Sequence, residues 1–190
     1  MSKYPKIENI APSLINPAIQ SISLVPSNIE LPNIHLQDLE LTALYKYNNI
    51  DGTLNMLIAY YQNQNGVQES RAFSYFYDPQ NDQYSWRMKF PNNKWPIYGL
   101  DLLEISKSKR VIFCENEAAA DFVNKLLPDY IGISMAGGLK SIDKSNLFSL
   151  KNRHILIWPR NNELHIKYAN TLKERLLSVG AATCIILNFS

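Results

Sequence analysis

Apolar and polar residues alternate with a period of two over residues 83–90, where Tyr84, Trp86, Met88 and Phe90 interleave with Gln83, Ser85, Arg87 and Lys89. That period marks a strand with one face toward a core. Segments 41–47, 53–61 and 67–77 read as three further strands. The stretches NNIDG, QNQNG and DPQND separate the four. Asp51-Gly52 and Asn65-Gly66 are turn dipeptides, so the segments are expected to pair as antiparallel hairpins. Residues 91–99 leave this sheet, and 99–106 read as a short helix.

Beyond residue 108 the pattern changes. Short β-branched runs (KRVIFC, YIGIS, RHILIW, ATCIILNF) alternate with longer segments of helical spacing. In 115–128, Ala119, Phe122, Val123, Leu126 and Leu127 share a helical face, and Pro128 ends it. Asn161 or Asn162 is placed to cap a second helix, in which His165, Tyr168, Ala169, Leu172, Leu176 and Val179 share a face. Strands alternating with helices predict an α/β fold with a four-stranded parallel sheet and right-handed crossovers. Residues 1–38 differ from both regions. They hold Pro5, Pro12, Pro17, Pro26 and Pro32. Proline at this density blocks helix interiors and sheet ladders, which predicts an extended arm against the body. The expected organisation is an arm over 1–38, an antiparallel β subdomain over 39–98 and an α/β domain over 99–190.

Composition narrows the class. The 190 residues are 46% hydrophobic and 19% charged, enough apolar material for a buried core. There is no apolar run of membrane-spanning length and no secretory pattern at the N-terminus, so a cytoplasmic protein without membrane association is expected. Cys114 and Cys184 both sit in apolar runs and read as buried free thiols. Net charge is −2 over residues 1–108 and +4 over 109–190. This asymmetry permits a polyanionic partner without requiring one.

Ligands of open parallel sheets bind at the carboxyl ends of the strands. Here those ends are Glu115-Asn116-Glu117, Ala136-Gly137-Gly138 and Pro159-Arg160-Asn161-Asn162, and the three loops should converge. Each feature also has a plainer reading. Glu115 can be a solvated loop carboxylate, the glycine pair a simple turn, Glu117 and Asp121 favourable charges early in a helix, and His165 a packed side chain. Tyr84, Trp86 and Phe90 fit a packed sheet core. Arg87 and Lys89, with Arg71, fit phosphate contact on the opposite face.

The order VIFCENEAAADFV, SMAGGLKS, HILIWPRNNELHIKYAN resembles the Toprim domain of phage- and plasmid-type DNA primases. The stretch WRMKFPNNKWPIYGLDLL resembles the segment that precedes it in those proteins. The resemblance covers residues 41–190. It implies a Rossmann-like domain in which Glu115 is a general acid/base, and in which Glu117, Asp121, Gly137, Gly138, Asn161 and Glu163 line the site. Two aspartates hold Mg²⁺ in that family. Arg160 and Asn162 stand at their positions here, and His165 stands where glycine is usual. Magnesium binds through carboxylates and water. A like charge in the site works against it: at 4 Å and an effective dielectric of 20, a unit charge costs about 4 kcal/mol. No metal and no cofactor are therefore expected, and Arg160 is expected to pair with Glu115 or Glu117 in the ion's place. The implied partner is nucleic acid, single-stranded DNA above all, contacted through Arg71, Arg87, Lys89 and Lys140, with a replication protein as a further partner. The alternatives are an active Mg²⁺-dependent primase or nuclease with an altered metal site, and a protein–protein interaction module derived from a primase.

Overall fold

The computed structural model describes residues 18–188, without the side chains of Leu139 and Lys140. Most of the expected arm's first half, and Phe189 at the end of the last expected strand, lie outside the described residues. Among the described residues the fold is mixed α/β with two five-stranded sheets.

The first sheet is antiparallel. It comprises β1 (Gln20–Ile22), β2 (Leu39–Asn48), β3 (Leu54–Asn63), β4 (Gln68–Asp78) and β5 (Gln83–Arg87). The turns between its long strands include Gly52 and Gly66, both at positive φ, as the two hairpins require. Cross-strand partners share a face, so the register sorts the side chains. Leu57 opposite Phe73 and Ala59 opposite Arg71 lie on one face. Tyr75 opposite Trp86 extends it. Ile34 and Leu36 of the arm pack on this face. The Tyr61 hydroxyl donates to Ile34 O at 2.8 Å, and Trp86 Nε1 donates to Glu30 O at 2.9 Å. The described part of the arm thus lies against the body, and β1 joins the sheet through β4. The other face carries Met56, Ile58 and Ala72, with Tyr47 from β2, and packs against Ala136, Trp95 and Tyr98 of the second region.

The alternation at 83–90 is only partly a core pattern. Tyr84 and Met88 are exposed. β5 ends at Arg87, and the Lys89 N–H turns back to Arg87 O at 2.8 Å. A strand paired on one side only leaves Tyr84 to stack against Tyr75 and Tyr77 at the sheet's rim.

The second sheet has the order β10-β9-β7-β8-β6, with β6 (Ile97–Tyr98), β7 (Arg110–Phe113), β8 (Tyr130–Met135), β9 (His154–Ile157) and β10 (Thr183–Ile186). β7, β8, β9 and β10 pair in parallel. β6 pairs antiparallel with β8. This sheet therefore begins two residues ahead of the 98/99 boundary read from the sequence. Three helices accompany it: α1 (Leu100–Ile105), α2 (Glu117–Leu126) and α3 (Glu163–Ser178). The connector after β8 forms 3₁₀ turns at Gly138–Lys144 and Phe148–Leu150. Phe113, Ile133, Ile155, Ile157, Leu172 and Leu176 fill the core between sheet and helices. Gly132 sets how close α2 lies: a Cβ there would meet Ala120 O at 2.3 Å. Asn124 bonds the Gly132 backbone in both directions. No helix of the described residues is long and apolar enough to cross a membrane.

Candidate functional site

The carboxyl ends of β7 and β9 lie side by side, and the Trp158 N–H donates to Phe113 O at 2.9 Å across them. Each end feeds a helix through an asparagine cap. Asn116 Oδ1 accepts from Ala119 N at 2.9 Å at the start of α2. Asn162 Oδ1 accepts from His165 N at 3.0 Å at the start of α3. The two positive helix ends therefore face the same crevice.

Glu115 sits between them. Its Oε2 lies 2.6 Å from Arg160 Nε, so that of the two carboxylates expected to pair with Arg160 it is Glu115 that does. Its Oε1 lies 3.2 Å from His165 Nε2. The other ring nitrogen of His165 meets Asn162 Oδ1 at 2.7 Å. The packed-residue reading of His165 therefore gives way to a place in the site. It follows the Asn162 cap by three residues, so the first turn of α3 swings its ring back over the crevice. Gly137 and Gly138 both adopt positive φ, and a Cβ at Gly138 would come within 3.3 Å of Glu115 O. The glycine turn thus closes against the Glu115 backbone. Asn161 lies in the loop beside Arg160. Glu163 opens α3 with an exposed side chain.

Glu117 faces the other way. It is 1% exposed. The Tyr47 hydroxyl donates to its Oε1 at 2.6 Å, and the Tyr60 hydroxyl to its Oε2 at 2.8 Å. Tyr98 donates to Asp121 Oδ1 at 2.7 Å. Tyr45 stands between Tyr60 and Tyr98, edge-on to both. Burial, then the neighbouring carboxylate, holds the Tyr47 and Tyr60 hydroxyls well above their ordinary range. Burial followed by the bond to Asp121 raises Tyr98. Tyr47 and Tyr60 come from strands 70 and 57 residues away from Glu117, and nothing in the local sequence announces them.

The residues do not fit Mg²⁺. Both Glu115 oxygens face nitrogen groups, and Asn162 Oδ1 is taken by the helix cap and His165. Among the described residues no group of three or more His, Cys, Asp or Glu side chains is placed to hold a metal ion.

The expected phosphate-contact residues separate. Arg71 lies on the arm-covered face, paired with Glu69 at 2.6 Å. Arg87 pairs with Ser74 and so points to the opposite face, where it also meets Asp78 at 3.4 Å. Lys89 Nζ lies 4.3 Å above the Phe76 ring on that side. The Lys140 side chain lies outside the described residues. Sequence reasoning missed two lysines of the same seam. Lys144 Nζ stands 4.8 Å above the Trp95 ring, which also stacks on Phe90 at 3.7 Å. Lys94 Nζ donates to Asp143 O. Lys94, Trp95 and Lys144 line an open groove of about 690 Å³. The alternation of cations and aromatics in RMKFPNNKW was the available signal. Compared with known proteins, the sequence matches no family model and no curated protein.

Proposed function

We propose that this is a primase-like protein of Toprim type that acts in the cytoplasm in association with nucleic acid, and that its magnesium site has been replaced by cations built into the chain. The observation that carries the reading is Arg160 Nε at 2.6 Å from Glu115 Oε2, in the crevice where the resembled family gathers carboxylates around Mg²⁺. A charge-assisted pair satisfies the carboxylate without an ion. Parallel pairing of β7–β10, with α2 and α3 following β7 and β9, supports the Rossmann-like arrangement that the resemblance implies.

Nucleic acid contact belongs to the seam of Arg87, Lys89, Lys94 and Lys144. Trp95 stacks on Phe90 and carries the Lys144 ammonium over its ring, contacts that favour holding a cation over stacking a base. The aromatics hold ammonium groups in place, and the ammonium groups meet phosphates. Binding is therefore sequence-independent and falls steeply with salt. Anisotropy of a labelled single-stranded oligonucleotide tests this. Lys89→Glu with Lys144→Glu should abolish binding at low salt. Arg71→Glu should change it little, because Arg71 lies on the other face. Binding unaffected by the double reversal, or absent from the unaltered protein at low ionic strength, contradicts the reading and favours a protein–protein module.

A further inference from the structure

A cavity of about 410 Å³ opens between α2 and the loop that joins β9 to α3. Ala118, Ala119 and Phe122 form one wall, and Trp158 and Pro159 form the other. Phe122 is 54% exposed, although it shares the helical face that would otherwise be covered. Glu115 and Arg160 stand at the mouth.

We propose that this slot binds a small amphipathic anion, a ring-sized apolar body bearing one carboxylate or phosphate. The volume and largely apolar walls suit such a body. The charge preference comes from Arg160. Its side chain is 63% exposed while Glu115 fixes it at Nε. A guanidinium already oriented at one edge loses little rotamer freedom when an anion docks on the rest of the group. Glu115 does not oppose this, because each of its oxygens already faces a cationic or ring nitrogen. Glu117, the other carboxylate at the start of α2, is turned away to Tyr47 and Tyr60. Glu163 is the remaining charge at the start of α3, and it does not line the slot. The N-termini of α2 and α3 add positive potential at the same point. Cys114 lines the slot too, and burial pushes its thiol up to about 12, so it serves as neutral apolar surface and not as a nucleophile. This proposal uses none of the seam lysines and stands apart from the nucleic-acid reading.

Calorimetric titration of the full chain with four probes tests it: 2-naphthoate, 2-naphthyl phosphate, 2-naphthalenemethanol and 2-naphthylmethylammonium. Both anions should bind about tenfold more tightly than the alcohol, and the ammonium least tightly. Arg160→Gln should erase the preference while the alcohol's affinity stays. Ala118→Phe, at an exposed wall position, should block all four probes and leave oligonucleotide binding intact. Phe122→Ala, also at an exposed position, should weaken all four in parallel. If neither anion binds by about 10 mM, if the alcohol or ammonium matches the anions, or if Ala118→Phe changes nothing, the proposal is wrong. Anion binding by the unaltered protein without any oligonucleotide binding at low salt would count against the seam instead.

Discussion

Glu115 and Glu117 are separated by a single residue, yet the chain treats them in opposite ways. Glu115 is partly exposed and held by nitrogen groups from the neighbouring β9–α3 segment. Glu117 is buried and held by two tyrosine hydroxyls from the antiparallel sheet. The first arrangement is local to one sheet and leaves Arg160 in water, so it costs little to open. The second joins the two sheets. A buried carboxylate is tolerated only when its oxygens are satisfied, and Tyr47 and Tyr60 do that together with the N-terminus of α2. Glu115 therefore holds together the loops at the strand ends, and Glu117 ties the frame around them to the antiparallel sheet.

The difference is sharpest in stability. Glu117→Ala removes two charge-assisted bonds and leaves one buried and one half-buried hydroxyl without this acceptor, which should cost about 4 kcal/mol in urea unfolding. Tyr47→Phe should cost about 2 kcal/mol, because its hydroxyl is fully enclosed. Tyr60→Phe should cost less, because Tyr60 is only half-buried. Equal losses at Tyr47 and Tyr60 would mean that burial does not grade the two bonds.

Alkaline pH probes the same joint. The Tyr47, Tyr60 and Tyr98 hydroxyls are raised above their ordinary value of 10.0. In the unfolded chain they lose protons near pH 10, while the folded chain keeps them. The native state then binds more protons, so stability is fully present below that pH and declines above it. Urea midpoints should fall between about pH 9 and pH 11, and Tyr60→Phe should flatten the decline. At the other carboxylate the expectation is small. Arg160→Gln should change stability by less than about 1 kcal/mol, since the guanidinium is mostly in water.

Much of this architecture was legible in the sequence, for physical reasons. Turn dipeptides and period-two segments announced the antiparallel hairpins. Short apolar runs between helical segments announced the parallel strands. The strand ends left Asn161 or Asn162 as the cap of α3, and the structure takes Asn162; the pairing of Arg160 with Glu115 or Glu117 came from the resemblance, and the structure takes Glu115. The rest depended on partners distant in the chain. β6 is two residues long and has no pattern of its own. Arg71 and Arg87 seem to share a face until the β3–β4–β5 register is known, because the face of a strand is fixed by pairing and not by spacing across a turn. Tyr47 and Tyr60 read as ordinary aromatic core positions, and only the packing of one sheet on the other reveals the carboxylate between them.

The central claim is that cations in the chain stand where the resembled family places a metal. Calorimetric titration with Mg²⁺, comparing the unaltered protein with Arg160→Asp/Asn162→Asp, tests it most directly. Aspartate caps a helix as well as asparagine does, so the second substitution should leave the start of α3 intact. The account predicts no Mg²⁺ binding by the unaltered protein in the low millimolar range and measurable binding by the double variant, lost again when Glu115→Gln is added. Tight Mg²⁺ binding by the unaltered protein that disappears with Glu115→Gln would contradict it.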